Sequence, residues 1–330
     1  MEYGIKPIRR HFNRLGLMYF WGTLLIFGVQ YAGVFLIGKL PFLQIYDMDA
    51  WLFATMLPMY LISMPLMILL IRRVPAVSVE KHRMTFLQWL TAFFICYSIM
   101  YLSNLAGVGL TFLISLIKGS PVDNGLADIV SGISPWSAFF IMVLCAPVLE
   151  ELIFRKLLID RTVKYGEKTA ILFSGIFFGL FHGNLNQFAY AFVLGIFWGF
   201  LYVRTGKILY TICMHMVVNF LGSVASMFLM KSMAYDELMY ASASGDTGAL
   251  MQVVSENLPG LMLFGLYGLC VLGLVITGIV CLAVNFRKMK LHPAEIPVPK
   301  GKLLSAAWLN AGVLLFSLFW IIQIILQLLQ

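Results

Sequence analysis

The sequence predicts an all-α protein, a polytopic bundle of about eight or nine transmembrane helices, and two observations support this. Of its 330 residues, 61% are hydrophobic and 12% are charged, whereas soluble domains carry about 25% charged residues. Apolar runs of about 20 residues, the length that crosses a bilayer core, recur between short charged connections. We therefore expect residues 1–330 to form a single membrane domain in contact with the lipid bilayer.

The apolar runs define nine candidate spans. They cover residues 17–38, 51–71, 86–117, 136–159, 168–185, 187–203, 208–230, 259–285 and 304–329. Residues 293–330 are expected to form a proline-containing cytoplasmic linker and an extra C-terminal span.

Lysine and arginine are unevenly distributed between alternate connections. Of the 23 basic residues, all but Lys39, Lys118 and Lys231 fall on the side that carries the N-terminus. Cytoplasmic connections of membrane proteins carry this excess, so we expect a cytoplasmic N-terminus. The net charge of +8 is therefore a topology signal, and no nucleic-acid partner is expected.

Ionisable groups within the predicted spans are few. Glu150 and Glu151 are the acidic residues there, and His182 and His215 are the histidines. A charged side chain at the centre of a span costs about 2.5–3.5 kcal/mol on insertion scales, so such residues usually mark functional sites. These four fall on the fourth, fifth and seventh spans.

The two glutamates are predicted to have different roles. Adjacent helical residues point about 100° apart, so one can face a site while the other turns aside. Arg155 follows Glu151 by four residues, the spacing of a favourable ion pair. We assign Glu151 to that pair and Glu150 to chemistry; the alternative is a structural charge cluster of all three.

Each histidine shares a helix face with a residue four positions away. Phe178 precedes His182, and Asn219 follows His215. Considered singly, His182 is more often a hydrogen-bonded packing residue and Asn219 an interhelical hydrogen-bond donor.

Considered together, these residues predict amide hydrolysis by one of two schemes. Glu150, His182 and His215 form a ligand set used by catalytic zinc sites, with an open position for water. In the metal-free scheme, a glutamate in apolar surroundings acts as general base on water, while histidine and asparagine stabilise the oxyanion. The residue types alone fit both.

The pattern resembles the CPBP intramembrane protease family, the CAAX protease and bacteriocin-processing group that is also called the Abi family. The family's motifs are a double glutamate with an arginine, a phenylalanine with a histidine, and a histidine with an asparagine, each at four-residue spacing. The matching residues are Glu150 and Glu151 with Arg155, Phe178 with His182, and His215 with Asn219. They lie in residues 136–225, which we expect to be the catalytic core spans.

The resemblance implies a CAAX prenyl protease-like endopeptidase of metallo or glutamate type. Its catalytic set would be Glu150, Glu151, His182, His215 and Asn219, with water activated at Glu150 and His182. The resemblance leaves open whether zinc is a cofactor bound by the three ligands named above. The implied partner is a peptide or protein substrate in or at the membrane. Peptide maturation or bacteriocin self-immunity in a bacterial plasma membrane is the expected setting.

Two alternatives remain at this point. Buried glutamates and histidines also form proton relays, which would suit an ion- or proton-coupled transporter. A non-catalytic bacteriocin-immunity or scaffold protein could keep the same fold.

One geometric expectation tests the predicted site. Measured from the predicted span ends, Glu150 and His182 differ in membrane depth by roughly 12 Å. Tilt, a fifth helix that begins below the membrane surface, or a hairpin turn at 183–187 would close this gap. If none does, His182 does not belong to the site.

Overall fold

The computed structural model describes residues 4–39, 48–122, 129–130 and 132–329, and within these ranges it contains helices and no strand. The predicted all-α fold is thereby confirmed. The longer helices are α1 (Ile5–Lys39), α2 (Met48–Arg72), α3 (Phe86–Lys118), α4 (Pro135–Tyr165), α5 (Glu167–Phe181), α6 (Leu185–Thr205), α7 (Ile208–Ser232), α8 (Tyr235–Ser244), α9 (Thr247–Glu256), α10 (Leu258–Lys288) and α11 (Ala311–Leu329). A short π-helical segment, Leu304–Trp308, precedes α11.

Eight of the described helices are long and apolar enough to cross a membrane: α1, α2, α3, α4, α6, α7, α10 and α11. The predicted fifth span, 168–185, is helical but shorter than expected. It corresponds to α5, which has 15 residues and a length of about 22 Å, less than a bilayer core of about 30 Å. The count is therefore eight candidate spans, and the chain is a multi-pass membrane protein. The cytoplasmic N-terminus stays a prediction.

The fourth predicted span ends later than the sequence suggested. Residues 136–159 were expected, yet α4 continues to Tyr165 because its charged residues find partners beyond the apolar run. Arg161 is 5% exposed; its Nε donates to the Ile71 carbonyl at 2.8 Å and its Nη1 to the Leu157 carbonyl at 2.9 Å. These bonds satisfy the hydrogen-bonding groups of the Arg161 guanidinium, so the side chain can be buried and the helix can continue past it.

Helices α5 and α6 form a tight antiparallel hairpin next to α4. Gly175 and Gly195 allow the two backbones to touch, since a Cβ on Gly195 would lie 2.7 Å from the Gly175 Cα atom. Small residues at such crossings are typical of membrane bundles. The hairpin turns at Gly183 (φ 66°), and the Asn184 side chain caps α6 by accepting from the Gln187 amide at 2.8 Å. The turn therefore lies within the predicted 183–187 segment.

The C-terminal helix α11 packs against α1 and α5. It crosses α1 where Gly16 and Gly312 bring the backbones into contact. Phe316 stacks on Phe177 of α5, with ring centroids 4.2 Å apart. The predicted extra span is thus in contact with the α5–α6 hairpin.

Candidate active site

The middle of α4 departs from regular α-helical geometry around Pro147. Residues Phe139–Cys145 are π-helical, and the Ala146 amide bonds to the Ile141 carbonyl, five residues back. This shift leaves the Met142 carbonyl without its usual partner at residue 146. Residue 147, the next candidate, is a proline and has no N–H to offer. A buried carbonyl without a backbone partner needs a side-chain donor.

Asn219 of α7 supplies that donor. Its Nδ2 donates to the Met142 carbonyl at 2.8 Å, which fixes α7 against α4. An amide nitrogen has two N–H groups, so one remains for another acceptor. The interhelical role considered for Asn219 is therefore present in the structure.

Glu151 and Arg155 form a fully buried ion pair. The Arg155 Nη2 lies 3.1 Å from the Glu151 Oε1, and both side chains are 0% exposed. The Arg155 Nη1 also donates to the Ser174 hydroxyl at 3.1 Å. The guanidinium lies over the ring of Phe178, 4.2 Å from its centroid, a favourable cation–π geometry.

His215 lies between the two glutamates. Its Nδ1 is 3.2 Å from the Glu151 Oε1, and its Nε2 is 3.8 Å from the Glu150 Oε2. The imidazole also stacks on Trp198, with ring centroids 4.4 Å apart. The Glu150 side chain is 15% exposed, whereas that of Glu151 is 0% exposed. Of the two carboxylates, Glu150 is the one that an incoming molecule can reach.

His182 is positioned by its own helix. Its Nδ1 lies 2.8 Å from the Phe178 carbonyl, and because a carbonyl only accepts, this nitrogen carries the proton. In neutral His182 the Nε2 therefore has a free lone pair. The Phe178 ring meets both imidazoles edge-on, at 4.8 Å from His182 and 5.9 Å from His215, so both histidines flank the same ring.

The predicted difference in depth between Glu150 and His182 is not found. Fifteen residues separate Glu150 from Tyr165, the end of α4, and fifteen separate Glu167, the start of α5, from His182. Both groups therefore lie about 22 Å along their helices from the single connecting residue, Gly166. The six residues by which α4 exceeds its predicted end at 159 correspond to about 9 Å and account for most of the expected gap.

The structure adds groups that the sequence did not single out. Trp198 and Ser174 contact His215 and Arg155, but an aromatic and a hydroxyl residue in apolar runs carry no distinctive signal. Tyr60 of α2 and Tyr190 of α6 lie close enough to Glu150 to interact with it electrostatically. The Met142 carbonyl belongs to the backbone, so no residue type identifies it in the sequence. Pro147, which has no N–H to donate to this carbonyl, is its one sign in the sequence.

The arrangement of the predicted zinc ligands can be compared with what a metal requires. The donor types are suitable, because Glu150 offers a carboxylate and the two histidines offer Nε2 lone pairs. Within the described part of the chain, however, no three histidine, cysteine, aspartate or glutamate side chains are grouped closely enough to hold a metal ion. This geometry does not fit a bound ion, and zinc stays a prediction.

The part of the chain that carries these residues matches a family of prenyl endopeptidases. Residues 132–221 match the family described as Type II CAAX prenyl endopeptidase Rce1-like. A Bacillus subtilis (strain 168) protein described as "Putative membrane peptidase YdiL" is 23% identical over 169 residues, which cover 48% of this chain and 66% of that protein. This chain thus spans slightly less than two thirds of that relative. The search of solved structures found no match to the present chain.

Proposed function

We propose that this chain is a member of the CPBP intramembrane protease family and an endopeptidase that cleaves a membrane-associated peptide or protein, a proposal supported by the family match over residues 132–221. The observation that carries this proposal is the unequal environment of the adjacent glutamates. Glu151 is enclosed and paired with Arg155, while Glu150 is accessible beside His215. A charge cluster that was purely structural would have no need to leave one carboxylate accessible.

Charge balance favours Glu150 as the proton acceptor. Two carboxylates and one guanidinium leave one negative charge in apolar surroundings, where an uncompensated charge is costly. A proton taken up by Glu150, whose Oε2 lies 3.8 Å from the His215 Nε2, would neutralise the cluster. The Glu151–Arg155 pair therefore supports proton transfer from water to Glu150, because it leaves the Glu150 carboxylate without a neutralising cation.

In the proposed reaction, water attacks the carbonyl carbon of the scissile amide while Glu150 accepts one of its protons. The lone pair of His182 Nε2 accepts from the other O–H of this water and orients it. The remaining N–H of Asn219 donates to the developing oxyanion. When the C–N bond breaks, Glu150 returns its proton to the leaving amine, so the site is restored.

The proposed substrate is a peptide or protein in or at the membrane, and the proposed location is a bacterial plasma membrane. The family match concerns CAAX prenyl endopeptidases, yet no residue described above recognises a prenyl group. Peptide maturation is the broader role that we propose. Zinc at Glu150, His182 and His215 would require these side chains to come closer together than they are in the structure, and no step above depends on it.

The test is cleavage of a membrane-anchored fluorogenic peptide library by the full chain in proteoliposomes, with and without chelator. Metal content is measured in parallel for wild type and for the variant with His182→Ala and His215→Ala. Cleavage that resists chelation supports the glutamate mechanism. Chelator-sensitive cleavage, with zinc that is lost in the double variant, would replace it with a metalloprotease mechanism. Proton or ion flux without cleavage would overturn the peptidase proposal in favour of a transporter.

A further inference from the structure

A basic cavity lies at the N-terminal end of α1, away from the glutamate and histidine cluster. Its volume is about 770 Å³. It is lined by Lys6, Pro7, Arg10, His11, Arg14 and Pro75. Four of these six side chains are basic, and none is acidic.

Three cations line this cavity, and no ion pair joins them to a carboxylate of the described residues. Lys6, Arg10 and Arg14 follow one another at four-residue spacing on α1 and are exposed. Like charges at this spacing repel one another. An anion in the cavity would relieve this repulsion.

The surroundings of the cavity carry further cations together with carboxylates. Arg161 and Lys164 are close enough to His11 to act on it electrostatically, together with Arg14, while Asp160 acts on Arg161 and Glu295 acts on Lys164. The first turn of α1 contains no acidic residue, and the helix N-terminus contributes a partial positive charge. The cavity is therefore suited to an anion with several acceptor oxygens.

The length of α1 places the cavity at the level of lipid headgroups. The helix has 35 residues and a length of about 52 Å, while the hydrocarbon core is about 30 Å thick. Its apolar run begins after Arg14, so the turns that carry the three cations extend beyond the hydrocarbon. Basic pockets at this depth are suited to anionic headgroups.

We propose that this cavity is a binding site for a phosphate group, supplied by an anionic phospholipid headgroup or by free phosphate. Arg10 and Arg14 offer planar guanidinium groups that can each bind two phosphate oxygens, and Lys6 offers a point charge. A lipid in this cavity would contact both α1 and the loop that carries Pro75. The site would stabilise the packing of these segments and does not depend on peptidase activity.

The experiment compares wild type with a variant that carries Lys6→Gln, Arg10→Gln and Arg14→Gln. The control variant carries Arg287→Gln, Lys288→Gln and Lys290→Gln, which are exposed residues on the same predicted side of the membrane. Both variants lose three positive charges, so general attraction to an anionic membrane falls equally. Thermal unfolding in detergent checks that both are folded.

Native mass spectrometry is performed after reconstitution in nanodiscs of phosphatidylglycerol or phosphatidylcholine, and phosphatidylglycerol is also titrated in detergent. We expect wild type and the control to retain phosphatidylglycerol, and the cavity variant to bind it roughly 100-fold more weakly. Titration with inorganic phosphate distinguishes the source. Selective phosphatidylglycerol binding assigns the site to a lipid headgroup, and saturable binding of inorganic phosphate with equal affinity assigns it to free phosphate. Equal retention of both probes by the two variants would overturn the proposal.

Discussion

Trp320 of α11 lies against Gly183, the residue that follows His182. A Cβ added to Gly183 would be 3.0 Å from Cζ3 of the Trp320 ring, and the backbone there is left-handed, with φ 66°. The Trp320 indole Nε1 donates to the Thr23 hydroxyl of α1 at 3.3 Å, which holds the ring in place. The turn that carries His182 is therefore fixed by a helix outside the family-matched segment.

Replacement of Gly183 by alanine is expected to impair cleavage more than folding. The left-handed backbone costs alanine about 1–2 kcal/mol, and the new methyl group must displace either the Trp320 ring or the turn. Displacement of the turn would move His182 and lower kcat in the peptide cleavage assay.

Gly245→Ala is the matched control for this change. Gly245 has a similar φ of 71° with nothing within 4 Å of an added Cβ, so its variant should lose comparable stability and keep its kcat. Equal kcat values for the two variants, normalised to folded protein, would contradict the proposed positioning.

Glu150→Gln should abolish cleavage while it leaves folding nearly intact, since the amide keeps the shape but cannot accept a proton from water. General bases contribute about 10²- to 10⁴-fold to rate, and we expect a loss in that range in single-turnover cleavage. Glu80→Gln serves as the control because the Glu80 side chain is 86% exposed and distant in sequence from the site. A Glu150→Gln variant that cleaves normally would rule out the assigned role.

Arg155→Ala should lower the amount of folded protein instead. It leaves the Glu151 carboxylate buried without its cation, and removal of one partner of a buried pair costs about 3–5 kcal/mol. The measurement is membrane abundance together with thermal unfolding in detergent. Lys168→Ala is the control, because Lys168 is exposed and belongs to none of the ion pairs of the described residues, so its loss should change stability by about 0.5 kcal/mol or less. Wild-type abundance of Arg155→Ala would show that the ion pair is dispensable.

Asn219→Asp tests the donor that the α4 distortion requires. The carboxylate cannot donate to the Met142 carbonyl, and an unsatisfied buried acceptor costs about 1–3 kcal/mol. We expect lower stability and lower kcat, because the same nitrogen is proposed to face the oxyanion.

The control is Asn285→Asp, since the Asn285 Nδ2 donates to the Cys281 carbonyl within its own helix at 2.8 Å. This change should affect stability alone. If Asn219→Asp retained wild-type kcat, the oxyanion role would be excluded and the interhelical bond would be its remaining function.

The sequence predicted the fold class and the candidate residues because the membrane imposes strong rules on both. Long apolar runs must be helical to satisfy their backbone groups in lipid. Ionisable groups in those runs are rare enough that Glu150, Glu151, His182 and His215 were identified by position alone. Glu151 and Arg155 were paired from their spacing, and the structure brings them to 3.1 Å.

The ends of the helices could not be predicted in the same way. The hydropathy of α4 falls at Asp160 and Arg161, yet the helix continues because carbonyls of α2 and of α4 itself accept from the Arg161 guanidinium. Those acceptors become available when distant segments pack together. This error in one boundary accounts for most of the expected difference in depth between Glu150 and His182.

The sequence by itself thus determined a helical membrane protein with a set of acidic and imidazole groups at defined intervals, because composition and helical periodicity are local properties. Tertiary structure alone decided that Glu150 is the accessible glutamate, that Phe178 lies between the two histidines and that Trp320 supports the His182 turn. These relationships depend on the register of helices far apart in sequence. That register is set by close contacts at glycines, by packing of aromatic rings and by a backbone carbonyl that lacks its usual helical partner. Such features are hard to recognise from the sequence.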